Sequence, residues 1–216
     1  MQAIFFDLDG TLIESKKIIT RLINETLMEF GYETFTEEEM LASVGMPLES
    51  LLSLRAGRDD VERMCKRYIE KYFEEGLKDT KPYDGIINLL KELKDEGAKI
   101  GIITTKSEEE AKRVIEHLGF SPYVDVVVGH SKERNPKPNP DPIIKACSVL
   151  SIPPEKTIMI GDTDVDIKAG KFAGTFATIG VLWGIGKEND LRDADYIAQD
   201  INDLKHHLKR IKDHLK

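Results

Sequence analysis

Cysteine and long apolar runs are scarce in this sequence, and each scarcity excludes a class of protein. The 216 residues include only two cysteines. Cys65 and Cys147 are far apart, which excludes a CxxC redox motif or zinc knuckle made from neighbouring cysteines and predicts buried free thiols. The longest uncharged stretch, residues 172–186, contains glycines and is shorter than the about 20 residues that span a membrane. The sequence therefore predicts a cytoplasmic protein without membrane contact.

Positive charge is also in the minority. The chain has 31 lysines and arginines against 39 aspartates and glutamates, a net charge of −8. This balance argues against nucleic acid or an anionic membrane as the main partner. With 40% apolar and 32% charged residues, the composition is typical of a soluble globular chain of one or two domains. We expect a small molecule as the partner, and both a monomer and a homodimer remain open.

Six short apolar segments bounded by turn residues predict β-strands, and helical patterns lie between them. This alternation predicts a parallel sheet, and strands that are apolar throughout predict cover on both faces. The expected fold is therefore α/β, with a Rossmann-like, doubly wound parallel sheet as its core. The predicted strands span residues 3–6, 99–103, 124–128, 157–160, 176–181 and 196–198.

Residues 16–76 interrupt the alternation with helical patterns only. Thr36 and Glu39 form a capping box that begins one helix, and apolar residues between Val61 and Phe73 recur at helical spacing. Such a segment can bury a small core of its own. We therefore predict an inserted all-α domain at residues 15–81, with the α/β core made from residues 1–14 and 82–216.

Two acids follow the first predicted strand, in the sequence Asp7-Leu8-Asp9-Gly10-Thr11. Because side chains alternate along an extended strand, Asp7 and Asp9 are expected to point to the same side. Two adjacent carboxylates repel each other unless a cation is present, and oxygen ligands beside a phosphate site favour Mg²⁺. The alternative is an aspartate that caps the loop next to an Asp-Gly turn.

Three further acids, Asp162, Asp164 and Asp166, lie where another predicted strand enters a helix. Asp162 and Asp166 are four positions apart and are expected to face one way across the first turn, whereas Asp164 lies about half a turn away. A helix cap explains one acid at this place but not three.

Hydroxyl groups and a lysine complete the candidate site. Thr104 and Thr105 close a strand before a helix, where free N–H groups favour an anion, although such residues also cap helices without binding anything. Lys137 lies between Pro136 and Pro138, whose restricted φ angles keep its loop rigid; a surface turn is the alternative. All these groups lie at carboxyl ends of predicted parallel strands or in a loop that reaches them, where open α/β sheets bind ligands.

The order of these motifs resembles that of the haloacid dehalogenase-like superfamily, in its phosphoglycolate-phosphatase-like branch with a helical cap inserted after the first strand. The resemblance covers nearly the whole chain, from Asp7 to the acidic run that starts at Asp162. It implies that Asp7 is the nucleophile and that Asp9 is the general acid and base.

The same resemblance implies the binding residues. Thr104 and Lys137 would hold the phosphoryl group; Thr105 stands where many relatives have asparagine, so its own phosphate contact stays open. The implied cofactor is Mg²⁺. Its expected ligands are Asp7, Asp9, Asp162 and, as a further acid of the metal shell, Asp166.

Together these expectations describe a Mg²⁺-dependent phosphatase that acts on a small phosphorylated metabolite similar to phosphoglycolate. The resemblance implies that the reaction passes through an aspartyl phosphate on Asp7. Phosphate monoesters hydrolyse very slowly without a catalyst that neutralises and aligns them, and Mg²⁺ and Lys137 would supply that neutralisation. The alternatives are a sugar-phosphate mutase or a pyrophosphatase on the same fold, and a phosphate-binding module without activity. The presence of every expected acid favours an enzyme.

Overall fold

Strands and helices alternate along most of the chain. A computed structural model describes the backbone of residues 3–214, so residues 1, 2, 215 and 216 of the predicted core lie outside the described residues. In chain order the elements are β1 (Ala3–Phe6), β2 (Ile13–Glu14), α1 (Lys16–Glu29), α2 (Glu37–Ala42), α3 (Leu48–Leu52), α4 (Arg58–Lys71), α5 (Leu77–Asp79), β3 (Lys81–Pro82), α6 (Ile86–Asp95), β4 (Lys99–Ser107), α7 (Glu108–His117), β5 (Val126–His130), α8 (Asp141–Leu150), β6 (Thr157–Gly161), α9 (Asp164–Ala173), β7 (Ala177–Val181), β8 (Tyr196–Ala198) and α10 (Ile201–His214).

The main sheet is parallel, with its strands in the order β5-β4-β1-β6-β7-β8. The side chains of β1 alternate between two hydrophobic cores. Ile4 and Phe6 join the core that includes residues of α6, α7 and α10, whereas Ala3 and Phe5 join the core under α8 and α9. Helices therefore cover both faces, and the predicted Rossmann-like, doubly wound sheet is confirmed.

Helices α1 to α5 follow one another between β2 and β3 and together form the helical segment. The predicted capping box is present, since Thr36 Oγ1 accepts a bond from the Glu39 N–H and the Glu39 carboxylate accepts one from the Thr36 N–H. After α4 the chain makes a π-helical turn, Tyr72–Gly76. Strands β2 and β3 pair antiparallel, Glu14 opposite Lys81, next to the predicted boundaries of residues 15–81.

The start of β5 differs from the prediction by two residues, because Asp125 caps the neighbouring strand. Its N–H donates to the Ile100 carbonyl (2.8 Å), and its carboxylate accepts the Ile100 N–H (2.8 Å) and the ammonium groups of Lys94 (2.7 Å) and Lys99 (2.8 Å). A charged side chain with these partners ends the apolar run, so β5 begins at Val126.

The cysteines are both free, as predicted, but only Cys147 is buried while Cys65 is partly exposed. Among residues 3–214, no helix combines the length and the apolar character needed to cross a bilayer.

Candidate active site

Asp7 lies directly after β1, at the carboxyl edge of the sheet. Its N–H donates to the Ile160 carbonyl (2.9 Å), which extends the pairing with β6 by one residue. Gly10 then turns the chain with a φ of +87°, and a Cβ at this position would lie 2.3 Å from Asp162 Oδ2. Glycine is required for both reasons, and it brings the loop after β1 against the loop after β6.

Three buried carboxylates meet at this edge. Asp7, Asp162 and Asp166 each offer an oxygen, and these oxygens lie within 4.8 Å of one another. Burial raises the pKa of Asp7 well above its usual value; the charge of Lys137 opposes this shift, and the charges of Asp166 and Asp162 add to it. Burial and then the Asp166 charge raise the pKa of Asp162 to about 6. The cluster is therefore a place where a cation would relieve repulsion.

Lys137 is buried with its ammonium group inside this cluster. Its Nζ donates to Asp7 Oδ1 (2.8 Å), Asp166 Oδ1 (2.6 Å) and the Ile103 carbonyl (2.9 Å). Burial would lower the pKa of Lys137, but the carboxylates of Asp166 and Asp7 raise it above its usual value. The lysine is therefore charged at neutral pH and sits beside the carboxylate expected to act as nucleophile.

The other two carboxylates are fixed by bonds that set their orientation. Asp162 accepts bonds from Thr11 Oγ1 and from the Ile185 N–H, each 2.8 Å long. Asp166 is the third residue of α9, and its Oδ2 accepts bonds from the N–H (3.1 Å) and hydroxyl (2.6 Å) of the N-cap residue Thr163. The capping bond therefore leaves the other oxygen of Asp166 for Lys137.

Asp9 is not part of this carboxylate cluster. Its Oδ1 accepts a bond from Ser15 Oγ (2.6 Å), and its Oδ2 lies 3.4 Å from Lys106 Nζ. The expectation that Asp7 and Asp9 share one side assumed an extended strand, but β1 ends at Phe6 and the chain is already turning at Asp9. The Asp9 side chain thus lies outside the group of Asp7, Asp162 and Asp166, and its role as a metal ligand stays a prediction.

The two candidate threonines end up in different environments. Thr104 is buried, and its Oγ1 accepts the Lys106 N–H (3.2 Å). Thr105 is half-buried and lines a cavity above the cluster. The pairing between β4 and β5 is irregular between Ile103 and Ser107, which lets consecutive residues turn toward the site.

A cavity of about 270 Å³ lies between the carboxyl edge of the sheet and the helical segment. Asp7, Asp9, Thr105 and Lys137 line it from the sheet side. His130 at the end of β5 also lines it, and its buried Nδ1 has no hydrogen-bond partner among the described residues. The helical segment contributes mainly apolar side chains, which include Ile19, Ile23, Met40, Leu48, Leu51 and Ile69.

Residues 4–181 match the family of haloacid dehalogenase-like hydrolases. The chain belongs to this family. A phosphoglycolate phosphatase of Aquifex aeolicus is 37% identical over 189 residues, 88% of each chain. The pyrophosphatase PpaX of Halalkalibacterium halodurans is 32% identical over 206 residues, 94% of this chain and 95% of that protein.

Solved structures agree with the family assignment. A haloacid dehalogenase-like family protein from Streptococcus pneumoniae has a TM-score of 0.83 and 29% identity, over 96% of this chain and 98% of that one. The resemblance stated from the sequence motifs is therefore confirmed at the level of the family and the fold.

The loop after β7 belongs to the site although the sequence motifs did not indicate it. Its Ile185 N–H holds Asp162 (2.8 Å), and Trp183 Nε1 donates to the Thr11 carbonyl (3.0 Å). A Cβ at Gly184 would lie 2.4 Å from Asp162 Cβ, and one at Gly186 would lie 1.7 Å from the Asp162 carbonyl oxygen. Gly184 and Gly186, which flank Ile185, were the sequence signal for this loop, because close backbone contact commonly requires glycine.

Proposed function

We propose that this protein is a Mg²⁺-dependent phosphatase that hydrolyses a small phosphomonoester, with phosphoglycolate as the first candidate. The observation that carries the proposal is the Lys137 ammonium, held between the Asp7 and Asp166 carboxylates at the floor of the cavity. The phosphoglycolate phosphatase among the relatives supports this choice of substrate.

The donor set fits Mg²⁺, which binds oxygen ligands and needs few protein carboxylates because it keeps several waters. Three carboxylates meet here beside one ammonium group, which contacts only Asp7 and Asp166 among them, and no donor among the described residues contacts Asp7 Oδ2. Asp7 and Asp162 would hold the ion, with Asp166 as a further acid. When bound, Mg²⁺ supplies charge neutralisation for the phosphoryl oxygens.

Asp7 is the nucleophile of the proposed reaction. Its carboxylate oxygen forms a bond to phosphorus while the bond from phosphorus to the leaving oxygen breaks, which gives an acyl phosphate on Asp7. Lys137 already contacts Asp7 and neutralises charge on the group in transfer. The hydroxyl groups of Thr104 and Thr105 are the further contacts that we assign to the phosphoryl oxygens.

Asp9 is the general acid and then the general base. It gives a proton to the leaving oxygen in the first step, and it takes a proton from the water that attacks phosphorus in the second. The second step releases inorganic phosphate and restores the Asp7 carboxylate. Asp9 lines the same cavity as Asp7, as this role requires.

The helical segment, residues 15–81, acts in this proposal as a cap that excludes water and selects the leaving group. Gly45 and Met46 in the turn before α3 line the cavity. Gly45 has a φ of +87°, and a Cβ there would lie 2.7 Å from Val165 Cγ2 at the start of α9. This close approach supports a cap turn that faces the reacting groups.

Pyrophosphate is the second candidate substrate. It is favoured by the PpaX relatives, whose printed name is pyrophosphatase. Lys16 also lines the cavity, and an ammonium group suits a leaving group that is itself anionic, as in pyrophosphate and phosphoglycolate.

Phosphate release from phosphoglycolate, pyrophosphate and a hexose phosphate, each with Mg²⁺ and with a chelator, tests the activity and ranks the substrates. Reduction with borohydride during turnover, followed by mass spectrometry, tests for an acyl phosphate on the peptide that contains Asp7. We expect Asp7→Asn to abolish turnover and the reduced product. Asp164→Asn is the matched control, because Asp164 is only partly buried and is bonded to Lys168. Turnover that survives chelation or Asp7→Asn would contradict the proposal.

A further inference from the structure

Lys106 joins the sheet to the helical segment beside Asp9. It follows Thr105 near the end of β4, and its side chain is only 8% exposed. The ammonium nitrogen lies 3.4 Å from Asp9 Oδ2 and 4.4 Å from the centre of the Tyr72 ring. Tyr72 is buried in the π-helical turn after α4. One ammonium group therefore contacts an acid of the core and an aromatic ring of the helical segment.

The surroundings keep this ammonium group charged. Burial would lower the pKa of Lys106, but the Asp9 carboxylate, and after it the Tyr72 and Tyr68 side chains, raise it well above its usual value. A charged amine that is buried needs such partners, because removal from water is costly. An ammonium over an aromatic face is also attracted by the ring electrons.

Asp9 is held at both of its oxygens. Ser15 Oγ donates to Oδ1 (2.6 Å), and Lys106 Nζ faces Oδ2 (3.4 Å). Ser15 precedes α1, at the point where the chain enters the helical segment. Both partners of Asp9 are thus linked to that segment, Ser15 through the backbone and Lys106 through Tyr72.

We propose that Lys106 is a positioning residue that orients Asp9 and makes this orientation depend on the seating of the helical segment through Tyr72. The inference rests on the proposed function, because it concerns Asp9 as the proton donor. Its consequence is specific: loss of Lys106 should affect proton transfer to the leaving oxygen more than binding or the attack by Asp7.

A second contact between the α/β core and the helical segment offers a matched control. Arg113 of α7 stacks on Phe73 of the π-helical turn, with its guanidinium carbon 3.4 Å from the ring centre. Arg113 is exposed and makes no contact with Asp9. Arg113→Met therefore weakens the seating of the helical segment without removing a partner of Asp9.

The test compares p-nitrophenyl phosphate, whose leaving group departs without protonation, with an alkyl phosphate, whose leaving group needs a proton. Lys106→Met keeps the apolar stem and removes the charge. We expect kcat/KM, which reports the steps up to departure of the leaving group and not the later attack by water, to fall at least about tenfold more for the alkyl phosphate than for p-nitrophenyl phosphate, because general acid catalysis contributes about 10²- to 10⁴-fold. KM should change little for either substrate.

Three further variants and the Arg113→Met control sharpen the result. Lys106→Arg keeps the charge and should restore part of the selective loss. Tyr72→Leu should show the same selectivity as Lys106→Met to a smaller degree, and Tyr72→Phe, which keeps the ring, should show less of it than Tyr72→Leu. Arg113→Met should change the two substrates alike. The Tyr72 pair decides the matter if Lys106→Met does not fold.

Equal losses for both substrates, or a rise in KM for Lys106→Met or Tyr72→Leu, would overturn the positioning role. Those results would assign Lys106 to substrate binding or to stability instead. Absence of Mg²⁺-dependent turnover by the unaltered protein with either phosphate ester would contradict the proposed function itself. The two failures are therefore distinguishable.

Discussion

Lys137 is buried with its ammonium group between two carboxylates, so its removal leaves Asp7 and Asp166 close together without a cation. Breaking a buried ion pair by removing one partner costs about 3 to 5 kcal/mol. We expect Lys137→Met to lower the free energy of unfolding by about that amount in a chelating buffer at neutral pH, measured by urea denaturation, and to abolish turnover.

The double variant Lys137→Met with Asp7→Asn is the control for this prediction. It removes one carboxylate together with the ammonium group, so it should be more stable than Lys137→Met alone. If Lys137→Met alone were as stable as the unaltered protein, the ammonium group would not be what holds the carboxylate cluster together.

Gly184 permits the approach of its loop to Asp162 and offers a second residue-scale prediction. A Cβ there would lie 2.4 Å from both Asp162 Cβ and the Gly10 carbonyl oxygen, so Gly184→Ala must displace the loop. Changes to groups that orient a metal ligand cost about 10- to 100-fold in metal affinity. We expect a loss of that size in a Mg²⁺ titration of turnover.

Gly57→Ala is the matched control, because Gly57 begins α4 and a Cβ there meets nothing within 4 Å. It should leave the Mg²⁺ dependence unchanged. Unchanged Mg²⁺ affinity in Gly184→Ala would mean that the loop after β7 does not orient Asp162.

Residues whose positions follow from local spacing or from neighbouring strand ends are predictable here, and residues whose orientation depends on a turn or a tertiary contact are not. Asp162 and Asp166 gather as their spacing across a helix start predicts, and Asp7 joins them because its strand lies next to β6. The orientations of the Asp9 and Lys106 side chains are not predicted, because they depend on a turn and on a contact with the helical segment. Local periodicity carries no information about such contacts.

At the scale of elements, the sequence predicts each strand of the main sheet but not the order of the strands. Apolar runs and turn residues are local signals, and the capping box at Thr36 and Glu39 is present as the motif predicts. The order β5-β4-β1-β6-β7-β8 arises from pairing between distant segments. The late start of β5 likewise depends on Asp125, whose partners lie in α6 and β4.

Asp125 provides an element-scale prediction, since it ties α6, β4 and the start of β5 together. Burial alone would raise the pKa of Asp125, but hydrogen bonds from Lys94, Lys99 and the Ile100 N–H hold it below its usual value. A lowered native pKa stabilises the fold above the unfolded pKa of about 4, and this contribution is lost as the pH falls through the native value. Asp125→Asn should therefore cost about 1 to 2 kcal/mol at pH 7 and much less in strong acid.

Urea denaturation of both proteins from about pH 2 to about pH 7, a range that brackets the usual carboxyl pKa, measures the difference. Asp95→Asn is the control: it removes the same charge from the exposed end of α6 and should change stability little. A cost for Asp125→Asn that stays constant with pH would contradict the charge-based account.

At the scale of the whole molecule, the helical segment and the sheet together enclose the cavity. The sequence predicts where the helical segment leaves and rejoins the sheet, and β2 pairs with β3 beside those points. It does not predict the cavity wall, because side chains such as Ile19 and Met40 meet Thr105 only when the two parts are packed together. The proposed selection of the leaving group therefore depends on tertiary contacts, which local sequence patterns do not specify.

The buried carboxylates link stability to pH and to metal across the whole fold. Burial raises the pKa of Asp7, and it raises the pKa of Asp162 from 3.8 to about 6. A raised native pKa means that the native state holds its proton more tightly than the unfolded state does. The stabilising contribution is then complete below the unfolded pKa of about 4 and is lost as the pH rises through the native pKa.

We therefore expect the metal-free protein to lose thermal stability as the pH rises from 4 through about 6, and Mg²⁺ to restore it at neutral pH by compensating the ionised carboxylates. Binding only to the native state contributes about 2.7 kcal/mol when the ion is at a hundred times its Kd, which is roughly 5 to 10 °C in Tm for a chain of this size. Thermal melts in chelator and in Mg²⁺ across this pH range measure both effects.

Asp162→Asn should reduce both the loss of Tm with rising pH and the gain of Tm with Mg²⁺, because it removes one ionising ligand. Asp164→Asn should leave both effects unchanged. Equal Tm values with and without Mg²⁺ would contradict a metal site at Asp7, Asp162 and Asp166.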